Sequence, residues 1–196
     1  MQIMQYLPEH LHGIVSLGFF TGMREGEILG LTWDKVNMQH EFPHIKLSKD
    51  DTKEGKEKIV PLAGKIDKNP LAILRATPKA LHTNRVFLNG GRLVDKKHLH
   101  RYMKKACTAA GIIYGRFEIG GLIFHDLRHC FATYAGLAGV DQLTIMAIMG
   151  HSPGRGLEMQ YRYRSFRLAD LWQAVIKMES YLMQSNIEIN RKENNN

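Results

Sequence analysis

At 196 residues, with 44% hydrophobic residues and a formal charge of +8, the chain fits one domain, or one domain and a small appendage, with enough apolar content for a real core. Global disorder is excluded, and so is a helical membrane span, because no apolar run reaches the ~18 residues one needs. The basic balance favours a polyanionic partner, either nucleic acid or an acidic membrane surface.

Two cysteines, Cys107 and Cys130, show no CxxC spacing and read as small core residues in a reducing cytosol. Gly13–Phe20 is apolar, but no basic stretch precedes it, so a signal peptide is not expected.

Leu7-Pro8-Glu9-His10 reads as a helix start, and the helix runs to Phe20 before Thr21-Gly22 breaks it. A second short helix is predicted from Arg24 to Leu31. Residues 44–62 change character. His44-Ile45-Lys46-Leu47 and Ile59-Val60 are β-type runs around a polar stretch that turns at Gly55, which predicts a small antiparallel sheet of two or three strands ended by Pro61. Ala63–Ala76 reads as a helix with a weak start. Val86-Phe87-Leu88 is closed by an Asn89-Gly90-Gly91 turn. Asp95 caps a predicted helix over Lys96–Ala110 that stops at Gly111 and buries Leu99, Met103 and Ala106. Phe124 to Tyr134 is helix-compatible. Asp141 caps Gln142–Met149, and Gly150 closes that helix. Ser152-Pro153 has the chemistry of a new helix start, which would pin His151 in a tight corner between two helices. The last clear helix is Leu168–Met183, and residues 187–196 read as a disordered polar tail. The predicted fold class is mainly α with one small antiparallel β-sheet, an α+β domain.

Four features carry possible chemistry. In His125-Asp126-Leu127-Arg128-His129, His125 and Arg128 fall at i and i+3, which suits a shared anion: guanidinium forks onto phosphate oxygens and imidazole adds a hydrogen bond or a proton. Read blandly, the same pair only decorates a helix face. Thr21-Gly22-Met23-Arg24-Glu25-Gly26-Glu27 places Arg24 at a helix N-terminus, where backbone amides also attract an anion; the alternative is an Arg24–Glu27 surface pair. Lys53 lies on a charged turn, serving solubility or carried as an acid to a leaving oxygen. Tyr161 and Tyr163 are packing residues, or one is a nucleophile whose phenolate needs nearby cations. A catalytic metal is not expected. His125 and His129 could chelate at i, i+4, but HExxH is absent and no third ligand falls at a diagnostic spacing. Residues 92–116 carry Arg92, Lys96, Lys97, Arg101, Lys104, Lys105 and Arg116 against the single acid Asp95, so a helix there offers a cationic face.

Taken together, these segments resemble the tyrosine recombinases, or phage integrase family. Thr21–Trp33 is similar to the family's first arginine box. Thr52-Lys53-Glu54-Gly55-Lys56, ending in Val60-Pro61-Leu62, resembles its β-hairpin lysine segment. His125–His129 with Met149-Gly150-His151-Ser152 resembles its second box, and Tyr161 follows where the nucleophile belongs. The resemblance runs in the family's order from Leu7 to about Ala174. It implies a tyrosine recombinase catalytic-domain fold over residues 1–186.

Carried over, Arg24 and Arg128 grip the scissile phosphate, and His125 and His151 hydrogen-bond its oxygens. Lys53 is the general acid for the departing 5′ oxygen, and Tyr161 becomes linked to the 3′ phosphate. Glu27 and His129 are supporting residues. The implied activity is metal-free and cofactor-free cutting and rejoining of double-stranded DNA. The expected assembly is a homotetramer on paired sites, monomeric in isolation, in the cytoplasm of a bacterium or archaeon or from a phage. Lys96, Lys97, Arg101, Lys104 and Lys105 are the candidate DNA contacts. A type IB topoisomerase-like enzyme and a non-catalytic DNA-binding relic are the alternatives.

The sequence departs from the family in two respects. Tyr161 is ten residues past His151, where the family usually has nine, and Tyr163 is twelve past. The Gly154-Arg155-Gly156 turn can absorb the extra residue. On a helix the two tyrosines point about 200° apart, so one of them can reach a phosphate; Tyr161 is the candidate and Tyr163 the alternative. The chain also starts just before the first arginine box, so the usual N-terminal core-binding domain is expected to be missing.

Overall fold

The computed structural model describes residues 2–154 and 156–193. After a short 3₁₀ turn at Gln2–Tyr6, α1 spans Glu9–Thr21, with Pro8 before its first turn. Ten of its thirteen residues are buried, which places this helix at the centre of the fold. Gly22 ends it in the left-handed region, at φ 62°. A Cβ at that point would also come within 2.8 Å of the Phe131 ring, so glycine serves both the turn and a close approach.

Helix α2, Glu25–Leu29, follows at once, and the chain then enters a three-stranded antiparallel sheet in the order β1 (Val36–Asn37), β2 (His44–Leu47), β3 (Lys58–Pro61). Ile45 pairs with Val60, and Leu47 with Lys58. Pro61 occupies the last paired position, and Gly55 turns the connection at φ 62°. Ile45, Leu47, Val60 and Leu62 are fully buried, so one face of the sheet belongs to the core.

Helix α3 spans Pro70–Ala76, shorter than the Ala63–Ala76 expected. Its start is fixed by Asn69, whose side chain accepts from the Ala72 amide at 2.9 Å, and by Pro70 in the first turn. Strands β4 (Leu88–Asn89) and β5 (Arg92–Leu93) form a hairpin across Gly90-Gly91, both at positive φ.

Helix α4 is Lys96–Ala109, capped by Asp95, which accepts from the His98 amide at 2.7 Å. It buries Leu99, Met103, Ala106 and Cys107. Helix α5 is Asp126–Leu137, packed across α1 through Leu127 and Phe131. Helix α6 is Gln142–Met149, capped by Asp141 and closed by Gly150 at φ 69°.

The expected helix start at Ser152-Pro153 is not found. Helix α7 begins later, at Glu158, and runs to Tyr163. Gly154 and Gly156 lie in what would have been its first turn, and each costs a helix about 1 kcal/mol relative to alanine. His151 is therefore on an exposed linking stretch after α6 rather than in a corner between two helices. Finally α8, Leu168–Glu193, packs on α5 and β3, and its Trp172 indole donates to the Leu62 carbonyl at 3.1 Å. It continues past Met183 into the segment expected to be a tail, where no glycine or proline interrupts it; residues 194–196 lie outside the described ones. Among the described residues no helix is long and apolar enough to cross a membrane.

Candidate active site

The site is assembled from the ends of elements. Arg24 occupies the N-cap position of α2 in extended backbone. Its amide donates to Glu27 Oε2 at 3.0 Å and its guanidinium to Glu27 Oε1 at 3.2 Å, so Glu27 fixes both ends of the residue. The guanidinium is also held in a fork by the Glu54 carboxylate, one arm at 2.7 Å. That is the geometry with which an arginine grips a phosphate.

Arg128 comes from the first turn of α5, and its residue is only 2% exposed. One guanidinium nitrogen donates to the Gly22 carbonyl and the other to the Met149 carbonyl at 2.8 Å. One side chain therefore staples the α1–α2 turn to the end of α6. Its Nε–H is buried and has no partner among the described residues. Burial, then the charge of Arg24, pulls the Arg128 guanidinium down to about 10. Two guanidiniums that disfavour each other's charge make a place where an added anion is stabilised.

His125 precedes α5 rather than lying inside it, with helical dihedrals at the N-cap position, so it keeps its i, i+3 relation to Arg128. Its ring meets the His129 ring edge-on at 5.0 Å. Burial first, then His129 and Arg128, holds His125 below the usual imidazole range. His151 is also lowered, by burial and then by Arg128 and Arg24. Arg128 reaches the Gly22 carbonyl, two residues before Arg24, and the Met149 carbonyl, two before His151, while Glu27 holds Arg24.

Lys58 is a member that sequence reasoning missed. Its buried ammonium donates to Glu27 Oε2 at 2.6 Å and to the Met149 carbonyl at 3.3 Å. Burial lowers it to about 8, against the opposing pull of Glu27. Burial raises the Glu27 carboxyl, yet Lys58 and Arg24 bring it net below its ordinary value. The signal was present in the strand alternation: Val60 faces inward, so Lys58 two residues earlier does too, and a lysine there demands an anion. Glu54 was missed as well, hidden in a run of charges read for its lysines.

Two expected residues stand apart from the cluster. Lys53 is exposed on the 48–57 connection, and its ammonium makes no hydrogen bond or ion pair with a described residue. The Tyr161 ring packs on Phe166 at 5.2 Å, and burial raises its hydroxyl, with no cation among the described residues acting on it. Tyr163 is 80% exposed. Of the basic candidates, Lys96, Lys97, Arg101, Lys104 and Lys105 are all exposed on α4. The His100 imidazole lies 3.1 Å from Glu25 Oε1 at the start of α2, an ion pair when the ring is protonated.

The sequence matches the model of the phage integrase family over residues 1–167. It is 30% identical over 182 residues to a shufflon-specific DNA recombinase of Escherichia coli, covering 89% of this chain and 39% of that protein. It is 30% identical over 149 residues to the tyrosine recombinase XerD of Mycobacterium leprae, covering 71% of this chain and 43% of that protein. The chain therefore spans about two fifths of the length of these relatives. The fold is similar to that of an integrase from mycobacterium phage Brujita, with a TM-score of 0.62 at 19% identity over 87% of this chain and 52% of that one. It is also similar to lambda integrase, solved as a dimer on a COC′ core site, with a TM-score of 0.60 at 21% identity over 85% of this chain and 46% of that one. The helical fold with its small antiparallel sheet, the ordered boxes and the matched length agree: this chain belongs to the phage integrase family of tyrosine recombinases.

Proposed function

We propose that this domain cuts and rejoins double-stranded DNA through a covalent link between Tyr161 and a 3′ phosphate, as the chemistry of a site-specific recombinase. The observation that carries the reading is the meeting of Arg24 and Arg128 beside His125 and His151, with one buried Arg128 N–H left to donate. A phosphodiester takes the place of the Glu54 carboxylate on Arg24 and brings an anionic acceptor for the Arg128 Nε–H, which has no partner among the described residues. During attack its non-bridging oxygens gain charge, and fixed guanidiniums stabilise that charge without reorganising.

In the step itself Tyr161 Oη gives its proton to water and bonds to phosphorus, while the bond to the 5′ oxygen breaks. Lys53 gives that oxygen a proton. The phosphotyrosine conserves the bond energy, so a 5′ hydroxyl of another duplex reseals the strand by the reverse step. Exchanging both strands of two duplexes takes four cleavages, hence four copies on two paired sites. Tyr161 and Lys53 must both approach the cluster when DNA binds. Both are on short connecting structure, α7 and the 48–57 segment, and α7 leaves Met159 and Tyr163 largely exposed.

The test is a nicked suicide duplex incubated with the wild type, Tyr161→Phe and Tyr163→Phe. A covalent adduct with the wild type and Tyr163→Phe, absent with Tyr161→Phe, is expected. An adduct lost only in Tyr163→Phe reassigns the nucleophile, and no adduct with the wild type rejects the reading.

A further inference from the structure

The arginines are held by a residue outside the set just described. We propose that Lys58 is a positioning residue for cleavage: from β3 it ties Glu27, and through it Arg24, to the Met149 carbonyl that also holds Arg128, so both guanidiniums meet one phosphate together. The inference rests on the recombinase reading of the site.

Lys58 Nζ donates to Glu27 Oε2 at 2.6 Å and to Met149 O at 3.3 Å. Glu27 in turn accepts from the Arg24 amide and guanidinium, and Met149 O accepts from Arg128 at 2.8 Å. One ammonium thus closes a chain of contacts from Arg24 to Arg128. It also reaches the histidine stretch: a Cβ on Gly150 would come within 2.7 Å of Lys58 Cδ, so the Lys58 stem is packed against the residue before His151.

The sheet itself does not call for a charge at this position; the charge answers to the buried Glu27 carboxylate, so removing Lys58 alone also costs stability. The neighbours of Lys58 on the inner sheet face, Val60 and Leu47, are apolar and fully buried. Buried ion pairs are often replaceable by apolar residues without loss of stability. What the pair supplies is a fixed relation between two groups whose alignment controls phosphoryl transfer.

The experiment compares the wild type, Lys58→Met and Lys58→Arg on the nicked duplex under single turnover at saturating DNA. Affinity is measured separately on an unnicked duplex. The Nε–H resonances of Arg24 and Arg128 are recorded by NMR in the free proteins. Lys58→Met is expected to slow cleavage by about 100-fold, the scale of an ångström of misplacement, with affinity changed by less than about threefold. Its Arg24 and Arg128 resonances should shift, and Lys58→Arg should recover to within about tenfold of the wild type. Cleavage by Lys58→Met within about threefold of the wild type, or a loss matched by an equal loss of affinity, overturns the proposal. The resonances judge it without catalysis: if they do not move in Lys58→Met, Lys58 does not position the arginines, whereas absence of an adduct with the wild type rejects the recombinase reading instead. If Lys58→Met fails to fold, Lys58→Gln, which still donates but carries no charge, is judged by the same criteria.

Discussion

Arg128 shows how one side chain can hold structure and serve the proposed site. Its two terminal nitrogens hold the Gly22 and Met149 carbonyls, which belong to turns far apart in sequence, and its Nε is left to donate. A lysine in its place would keep the charge but not the fork. Arg128→Lys should therefore leave one buried carbonyl unpaired and lower stability by about 1–3 kcal/mol, readable by urea denaturation. Adduct formation should fall as well. The histidines make a second residue-scale prediction. His125 and His151 are held below the ordinary imidazole value, so below pH ~6.5 the unfolded chain binds protons that the folded site refuses. Their contribution to stability is complete above that pH and is lost as pH falls towards their lower folded values. Denaturation midpoints measured from pH 7.5 to 5.5 should therefore decline. The decline should be shallower in a His125→Asn/His151→Asn double variant, although His10, also lowered, keeps part of it.

At the scale of elements, the connection between β2 and β3 decides whether the site is open. In the free protein Glu54, next to Lys53, forks onto Arg24 as a phosphate would. On the proposed function DNA displaces that carboxylate, and the same movement would free the segment that carries Lys53. A partly exposed ion pair contributes about 0.2–1 kcal/mol, so Glu54→Ala should tighten DNA binding by about 1.4- to five-fold in an anisotropy titration. Unchanged or weaker binding would show that Glu54 does not compete with phosphate. The elements themselves were largely legible because their ends are marked: Asp95, Asp141 and Gly150 bound helices by chemistry that depends on neighbours in sequence. Alternation turns Lys58 inward, but its partners Glu27 and Met149 are 31 and 91 residues away, and Glu54 is 30 residues from Arg24, so no local signal names the contacts. The late start of α7 was missed for another reason: Ser152-Pro153 suits a helix start locally, but the glycines after it oppose one.

For the whole molecule, charge and topology act together. The central helix α1 delivers the first arginine at its end, and α5, packed across it, delivers the second. Helix α4 then extends the positive field outward from the cluster. Its apolar stripe is buried, its lysines and Arg101 point to solvent, and Arg101 and Lys105 flank the Tyr102 ring at 5.1 and 5.5 Å. With His100 of α4 close to Glu25 of α2, the proposed function has a duplex seated on the two arginines run beside this face. Contacts made there to phosphate are purely electrostatic, so each releases a counterion and adds about 0.9 to the slope of log K against log salt. Lys104→Ala/Lys105→Ala should weaken binding to all duplex sequences alike and reduce that slope by about 1.8 if both lysines touch phosphate. Cleavage of DNA already bound should be unchanged, since neither residue reaches the reacting atoms. Binding curves for the double variant and the wild type from 50 to 200 mM salt decide it: parallel lines would place the duplex on another face of the domain.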